Sequence, residues 1–390
     1  MLFQDNLRHD LSANGITALR DFCDSLVDII SDMERHIAQL NRTPSDIVQI
    51  QALFKELNQL KHNAITCQLS SIVSYLQPLE DLASEIRARK VEYIQLIGEM
   101  ILLCIDRLQL VLEDVQQDGD SEALHLDEIC GAMAELPGSA QADLVQKTIN
   151  MIEMISGHKV ANNYIQEIII DLDDYLLETF AAPTSSSTST PAPSPIAIIP
   201  HDDWPLFRQL AQLLEHRSHH WDGRTERNLW LARQTNLHAG EAIDPLQLDV
   251  AVVLHDIGMA FLPDKLWNKQ GKLTELEIRV LREHPDLGAS LLERMPGWES
   301  AVEMIHQHHE RIDGSGYPLG LIDPAICTGA KLLAIIDAFE SMTHERGDRY
   351  LRRSMLRAVS EINASENLFD RFWVGHFNAV VKQLIQQQQH

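Results

Sequence analysis

Six side chains in the carboxy-terminal half are of the kinds that divalent metals choose: His255 and Asp256 in the run HDIG, His284 in EHP, His308 and His309 in QHHERIDGSGYP, and Asp337 in IIDAFE. Imidazole nitrogens and carboxylate oxygens with no thiolate among them suit iron or manganese better than a structural zinc. Two such cations held close together lower the pKa of a water between them and offset negative charge developing on a substrate, so the chemistry these residues allow is metal-assisted hydrolysis. His255 and Asp256 can ligate from a single helical turn, and Asp256 and Asp337 are the natural carboxylates to be shared between two ions. His308 and His309 diverge by about 100° if both are helical. They therefore serve two metals, or one metal through a distorted turn.

The elements that must position these groups are helical. Leu246, Leu248, Val250, Ala251, Val253, Leu254 and Ile257 make a nearly all-apolar helix that carries His255 and Asp256 into a buried setting. A carboxylate and an imidazole buried side by side are costly unless a cation joins them. Thr274 and Glu277 have the spacing of a capping box and start the helix that leads to His284. Gly314 and Gly316 permit backbone conformations and close approaches that side chains would block, which suits a loop forming one wall of a ligand pocket.

Taken in order, HDIG, LPDKLWNKQGKLTELE from Leu262 to Glu277, the HPxxG pattern from His284 to Gly288, HHERIDGSGYP and KLLAIIDAFESMTHER resemble the HD-GYP family of metal phosphodiesterases over roughly the last 190 residues. The resemblance implies an all-α, HD-type domain that hydrolyses the bacterial second messenger cyclic di-GMP to the linear dinucleotide or GMP. It implies two divalent transition metals, iron or manganese, held by His255, Asp256, His284, His308, His309 and Asp337. Arg311 joins His255 and Asp256 as a catalytic group, while Gly316, Tyr317, Pro318, Arg346 and Arg349 fall on substrate-binding positions. Two departures matter. The family usually reads HDIGK, with a lysine that touches the scissile phosphate, and this chain has Met259. GRTERN, from Gly223 to Asn228, looks like the family's GHTERV and puts Arg224 where a first ligand histidine is expected. A guanidinium does not ligate metals, and His220, one turn earlier and next to His219, is a further candidate ligand. These losses keep open a second function, a non-catalytic HD-GYP adaptor that binds nucleotide or signalling proteins.

The amino-terminal half carries a different signal. Phe22, Leu26, Ile29, Ile30, Met33, Ile37 and Leu40 mark an amphipathic helix that starts near Leu19 and stops at Arg42. Thr43 is placed to cap the next helix, with Pro44 at its first position and Asp46 in its first turn. Ile47, Ile50, Phe54, Leu57 and Leu60 give that helix its buried stripe. Two further stripes, Leu69 to Ile86 and Ile94 to Val111, complete an antiparallel bundle, and helical segments broken at Pro137-Gly138 and near Gly157 extend it, with Tyr164 to Leu176 marking another buried face. FKELNQLKHNA, Phe54 to Ala64, resembles the phosphoacceptor helix of histidine phosphotransfer domains. The resemblance puts the phosphorylated histidine on Asn58, which cannot accept a phosphoryl group. It keeps the neutralising cation at Lys61 and leaves His62 one turn beyond Asn58. Partners implied by such a bundle are response-regulator receivers, diguanylate cyclases or a second copy in a homodimer.

PTSSSTSTPAPSP, Pro183 to Pro195, cannot bury a core and reads as a tether. The expected organisation is a bundle over 1–180, a linker over 181–199 and an HD-GYP-like domain over 200–390. A formal charge of −25 disfavours binding to nucleic-acid polymers or anionic membranes. Five widely spaced cysteines, no CxxC pair and no apolar run near a membrane span of ~20 residues suit a soluble protein of the reducing cytoplasm.

Overall fold

The structure, a computed structural model, describes residues 3–116, 126–157, 202–218, 221–267, 269, 273–344, 353–365 and 367–387. They are all-α: among them no strand forms, and a lone antiparallel bridge pairs Asp313 with Ile322. Two compact units divide the chain, Met1–Ile168 with Val359–Ala364, and Ile169–Ala358 with Ser365–His390. The segments 164–176 and 183–195 lie outside the described residues.

The first unit is built from α1 (Phe3–Arg42), α2 (Ile47–Thr66), α3 (Ser70–Arg87), α4 (Gln95–Gln116), α5 (Leu126–Ala134) and α6 (Gln141–Ser156). Helix α1 buries the stripe Phe22, Leu26, Ile29, Met33, Ile37 and Leu40 and ends at Arg42 as expected, but it begins sixteen residues before Leu19. Its early turns have a partner. Asp10 accepts hydrogen bonds from Ser70 Oγ at 2.6 Å, Ser71 N at 2.8 Å and Ser71 Oγ at 2.7 Å, supplying the cap that Leu69 cannot give α3.

The cap of α2 differs from the sequence reading. Asp46, rather than Thr43, accepts from Val48 N at 2.9 Å and Gln49 N at 3.3 Å, because Thr43 to Asp46 close a turn of their own and delay the helix to Ile47. The buried face is accordingly Leu53, Leu57, Leu60 and Ala64. Ile47 stays 46% exposed, and the partly buried Phe54 has the Arg87 guanidinium 3.7 Å from its ring centroid. Helix α4 is buried on nearly every side from Leu96 to Leu108, and Tyr75 of α3 donates to the Cys104 carbonyl at 2.8 Å. Gly157, at φ 72°, terminates α6 in the left-handed conformation that glycine tolerates.

The second unit holds α7 (Trp204–Glu215), α8 (Arg224–His238), α9 (Pro245–Leu254), a 3-10 turn (Ile257–Phe261), α10 (Asp264–Trp267), α11 (Glu275–Leu281), α12 (His284–Leu292), α13 (Glu299–Gln307), α14 (Thr328–Thr343) and α16 (Arg371–Gln387). Helix α15 (Met355–Ala364) is shared by the division between the units. As its composition requires, α9 is buried throughout from Leu248 to Leu254 and packs against α7, α8 and α13. Its one buried carboxylate, Asp249, accepts from Arg233 of α8 at 2.7 and 2.5 Å.

The apolar helix does not run on to Ile257. It ends at Leu254, and the chain tightens into the 3-10 turn so that Gly258 can meet α12. A Cβ on Gly258 would stand 2.0 Å from the His284 carbonyl oxygen, a contact that only glycine allows. Thr274 and Glu277 do form the capping box that starts α11. No helix of the described residues is long and apolar enough to cross a membrane, and all five cysteines are free thiols.

Candidate metal centre

Three helix ends bring three imidazoles into one buried site. His255 closes α9, His308 closes α13, and His284 opens α12 three residues beyond the end of α11. The Nδ1 atoms lie 2.7, 2.6 and 2.7 Å from the carbonyl oxygens of Val252, Ile305 and Leu281 respectively, in each case three residues back. A carbonyl can only accept, so each Nδ1 carries a proton, and in the neutral ring each Nε2 presents a lone pair to the interior. The last carbonyls of a helix lack partners within it. Ending the helix and orienting the ligand are thus the same hydrogen bond, the arrangement that fixes metal-binding histidines.

Asp256, His284, His308 and His309 form the first cluster, their ligand atoms all within 4.8 Å of one another. His284 Nε2 and His308 Nε2 are 3.3 Å apart, and Asp256 Oδ1 is 3.2 Å from the former and 3.9 Å from the latter. Two buried lone pairs and a carboxylate oxygen facing each other require positive charge between them, so the donor set fits a divalent cation. His308 and His309 sit in the turn after α13 with ring centroids 4.1 Å apart, which lets both enter one cluster instead of diverging. Burial, the largest influence, pushes His308 well below the ordinary imidazole range and His309 down to about 3. Both rings are therefore neutral near pH 7, the form that ligates metal.

The second cluster, His255, Asp256 and Asp337, already has a cation in it. The Arg224 guanidinium donates through Nη1 to Asp256 Oδ2 at 2.5 Å, and through Nη2 to Asp337 Oδ1 at 2.6 Å and His255 Nε2 at 3.1 Å. The Trp221 ring centroid lies 4.5 Å from its Cζ. Burial alone would drive Arg224 to shed its charge, but Asp256 and Asp337 outweigh it and hold the proton more tightly than usual. In return, although burial opposes ionisation, Arg224 and the surrounding imidazoles keep both carboxyls well below the usual carboxylate range. Removing one partner of such a buried pair costs on the order of 3–5 kcal/mol.

One turn further along both helices, Arg227 of α8 donates to Glu340 of α14 at 2.6 Å, and His344 Nδ1 lies 3.0 Å from the same carboxylate. Burial opposes its ionisation, but His344 and Arg227 bring Glu340 down to about 2. This buried pair repeats the Arg224–Asp337 contact three residues on and braces α8 against α14.

The Gly-rich loop makes a wall beside His309. Glu310 accepts from Leu319 N at 2.7 Å and Leu321 N at 2.8 Å, folding the loop back on its origin. At Gly316 a Cβ would stand 2.4 Å from Arg311 N, so no other residue fits that return. The Tyr317 ring stacks on His309 with centroids 4.7 Å apart, and the Tyr317 N–H donates to the His309 carbonyl at 3.1 Å. Pro318 follows through a cis peptide bond.

Within HHER nothing in the sequence sets Glu310 apart as the acceptor that folds the loop. Arg282, which no motif singles out, has its Cζ 5.0 Å from the Tyr317 ring centroid. Arg311 is exposed next to the loop. Met259 is buried in an apolar cluster with Leu214, Leu262 and Leu266, so a core contact stands where the HDIGK pattern has its lysine. His220, Arg346 and Arg349 lie outside the described residues.

Residues 208–371 match the family model described as HD domain. The chain is 37% identical over 154 residues to the cyclic di-GMP phosphodiesterase PA4108 of Pseudomonas aeruginosa, covering 39% of this chain and 34% of that one. It is 36% identical over 148 residues to the cyclic di-GMP phosphodiesterase response regulator RpfG of Xanthomonas campestris pv. campestris, covering 35% and 37%. A cyclic di-GMP phosphodiesterase of Thermotoga maritima is 34% identical over 140 residues, covering 35% and 38%. The match to the HD-domain family model lies within the carboxy-terminal half of the chain, and the chain spans little more than a third of the length of these relatives.

The depressed imidazoles give the metal-free protein a definite pH response. An unfolded histidine takes up its proton near pH 6.5, whereas folded His309 does so only near 3, so the unfolded state binds more protons in that window. Stability should fall as pH drops from about 6.5 towards 3. Calorimetry of the apo protein should show a shallower fall in His309→Asn than in the wild type; equal slopes would mean that this ring is not held neutral.

Proposed function

We propose that the carboxy-terminal domain is a divalent-metal phosphodiesterase that hydrolyses cyclic di-GMP to the linear dinucleotide or GMP. The observation that carries this reading is the convergence of His284 Nε2, His308 Nε2 and Asp256 Oδ1 beside the loop bearing Tyr317. Asp256, His284, His308 and His309 would hold the ion, and the all-N/O ligand set favours iron or manganese. An ion bound there supplies Lewis acidity, lowering the pKa of an attacking water and offsetting charge on the phosphoryl oxygens.

The chain's own residues do the rest. Gly316, Tyr317 and Pro318 shape the wall on one side of the substrate, and Arg311, with Arg346 and Arg349, offsets the phosphates of a dianionic ligand in a protein of net charge −25. Arg282, exposed beside Tyr317, is a further cation for that task. The names of the HD-domain relatives support the choice of substrate.

Arg224 and Met259 favour a second reading, an HD-domain adaptor that binds the nucleotide without cleaving it. One cation position is filled by a group that cannot activate water, and the lysine's place is apolar. Full-length protein loaded with manganese or iron should convert cyclic di-GMP to product resolved by chromatography, and His308→Ala should give none. Nucleotide binding in calorimetry with no product from the loaded wild type would decide for the adaptor.

For the amino-terminal bundle, proposed to span 1–180 ahead of a linker over 181–199 and an HD-GYP-like domain over 200–390, we infer a docking role in the cytoplasm. It would engage receivers or diguanylate cyclases, or pair two copies, and would not relay phosphate. Asn58 Nδ2 donates to Glu80 Oε1 at 2.6 Å, while Lys61 pairs with Glu80 and reaches Gln77 Oε1 at 3.1 Å. The cation that would neutralise a phosphoryl group is committed to Glu80, and an amide stands where the acceptor should be. A labelled phosphodonor should leave the protein unlabelled. Acid-labile phosphate that disappears in His62→Ala would restore the relay.

A further inference from the structure

We propose that Arg224 is a resident cation that takes the place of one metal ion, so that the chain binds a single divalent ion, at Asp256, His284, His308 and His309. The proposal rests on the metal-dependent reading above and goes beyond it in number, place and the role of Asp337. Its basis is mutual exclusion. The three atoms that a second ion would need, His255 Nε2, Asp256 Oδ2 and Asp337 Oδ1, are the three atoms that receive the N–H groups of Arg224, at 3.1, 2.5 and 2.6 Å. An ion among them would have to occupy the volume of the guanidinium.

The histidine tautomer agrees. With Nδ1–H given to the Val252 carbonyl, the lone pair on His255 Nε2 already has its donor in Arg224. The corresponding lone pairs of His284 and His308 instead face each other at 3.3 Å. The same side-chain type, oriented by the same device, is satisfied at one position and awaits a cation at the other. Asp256 divides accordingly, Oδ2 to the guanidinium and Oδ1 towards His284 and His308.

The guanidinium has little freedom to leave. It is buried, lies against the Trp221 ring, and springs from the first residue of α8, whose next turn is pinned by Arg227 to Glu340 and to the Asp222 carbonyl at 2.8 Å. A dication added next to it would meet a fixed like charge in a poorly screened interior. Asp337 is therefore the anchor of Arg224 and not a ligand, and Arg224 is a positioning residue that aims Asp256 Oδ1 at the metal.

Metal content and magnetic state test this without recourse to turnover. Apo full-length protein is titrated with Mn(II) by calorimetry, and the desalted complex is analysed for metal and by electron paramagnetic resonance. The wild type should bind about one equivalent and show an isolated Mn(II) signal. Arg224→His, which restores an imidazole among His255, Asp256 and Asp337, should bind about two and show an exchange-coupled pair. Asp337→Asn keeps the four ligands of the single ion and should still bind one, which serves as the test even if Arg224→His does not fold. Two equivalents in the wild type, or loss of the ion in folded Asp337→Asn, would overturn the proposal while leaving a metal-dependent enzyme. No bound metal in either wild type or Arg224→His would overturn the metal-dependent reading itself, and the proposal with it.

Discussion

Asp256 and Asp337 can be buried beside four imidazoles only because positive charge is built in between them. An unpaired carboxylate in that setting would cost several kcal/mol, a large share of the 5–15 kcal/mol by which a domain is stable. Arg224 supplies the charge on one side, and the converging histidines leave room for it on the other. Asp256, with one oxygen turned to each side, couples the two halves. The guanidinium also contributes to stability through a contact that uses no metal, since Arg224 ties α8 to Asp337 of α14 directly.

The rest of the domain can be understood as the means of delivering those groups. Helices α9, α11 and α13 stop where a histidine ring can take up a terminal carbonyl, and Gly258 brings the 3-10 turn onto His284 closely enough for the rings to converge. Arg227 and Glu340 keep α8 and α14 in register behind the site. Glu310 and Gly316 fold the loop so that Tyr317 stacks on His309, placing an aromatic wall against the ligand cluster. Each of these is a helix end or a tight return, which gives fixed geometry without long flexible side chains.

Much of this was legible in the sequence because it is encoded locally. The capping box at Thr274, the stop at Arg42 and the break at Gly157 depend on neighbours within a few residues, and the candidate ligands announce themselves by type and spacing. GRTERN even put Arg224 at the position of a candidate ligand. What could not be read was where its side chain goes, since that depends on Asp256, 32 residues away, and Asp337, 113 residues away. The cap at Asp46 and the end of α9 at Leu254 were misplaced because a turn and a close glycine contact overrode propensity. Glu310 and Met259 take their roles from a folded loop and an apolar cluster that no periodicity shows.

The division of the centre into a guanidinium half and a metal half is most directly tested by seeing the ions. Anomalous diffraction at the manganese edge, from crystals grown with excess Mn(II), should show one peak, enclosed by Asp256, His284, His308 and His309, with Arg224 still on Asp256 and Asp337. Two peaks, with the Arg224 side chain displaced from Asp337, would contradict it.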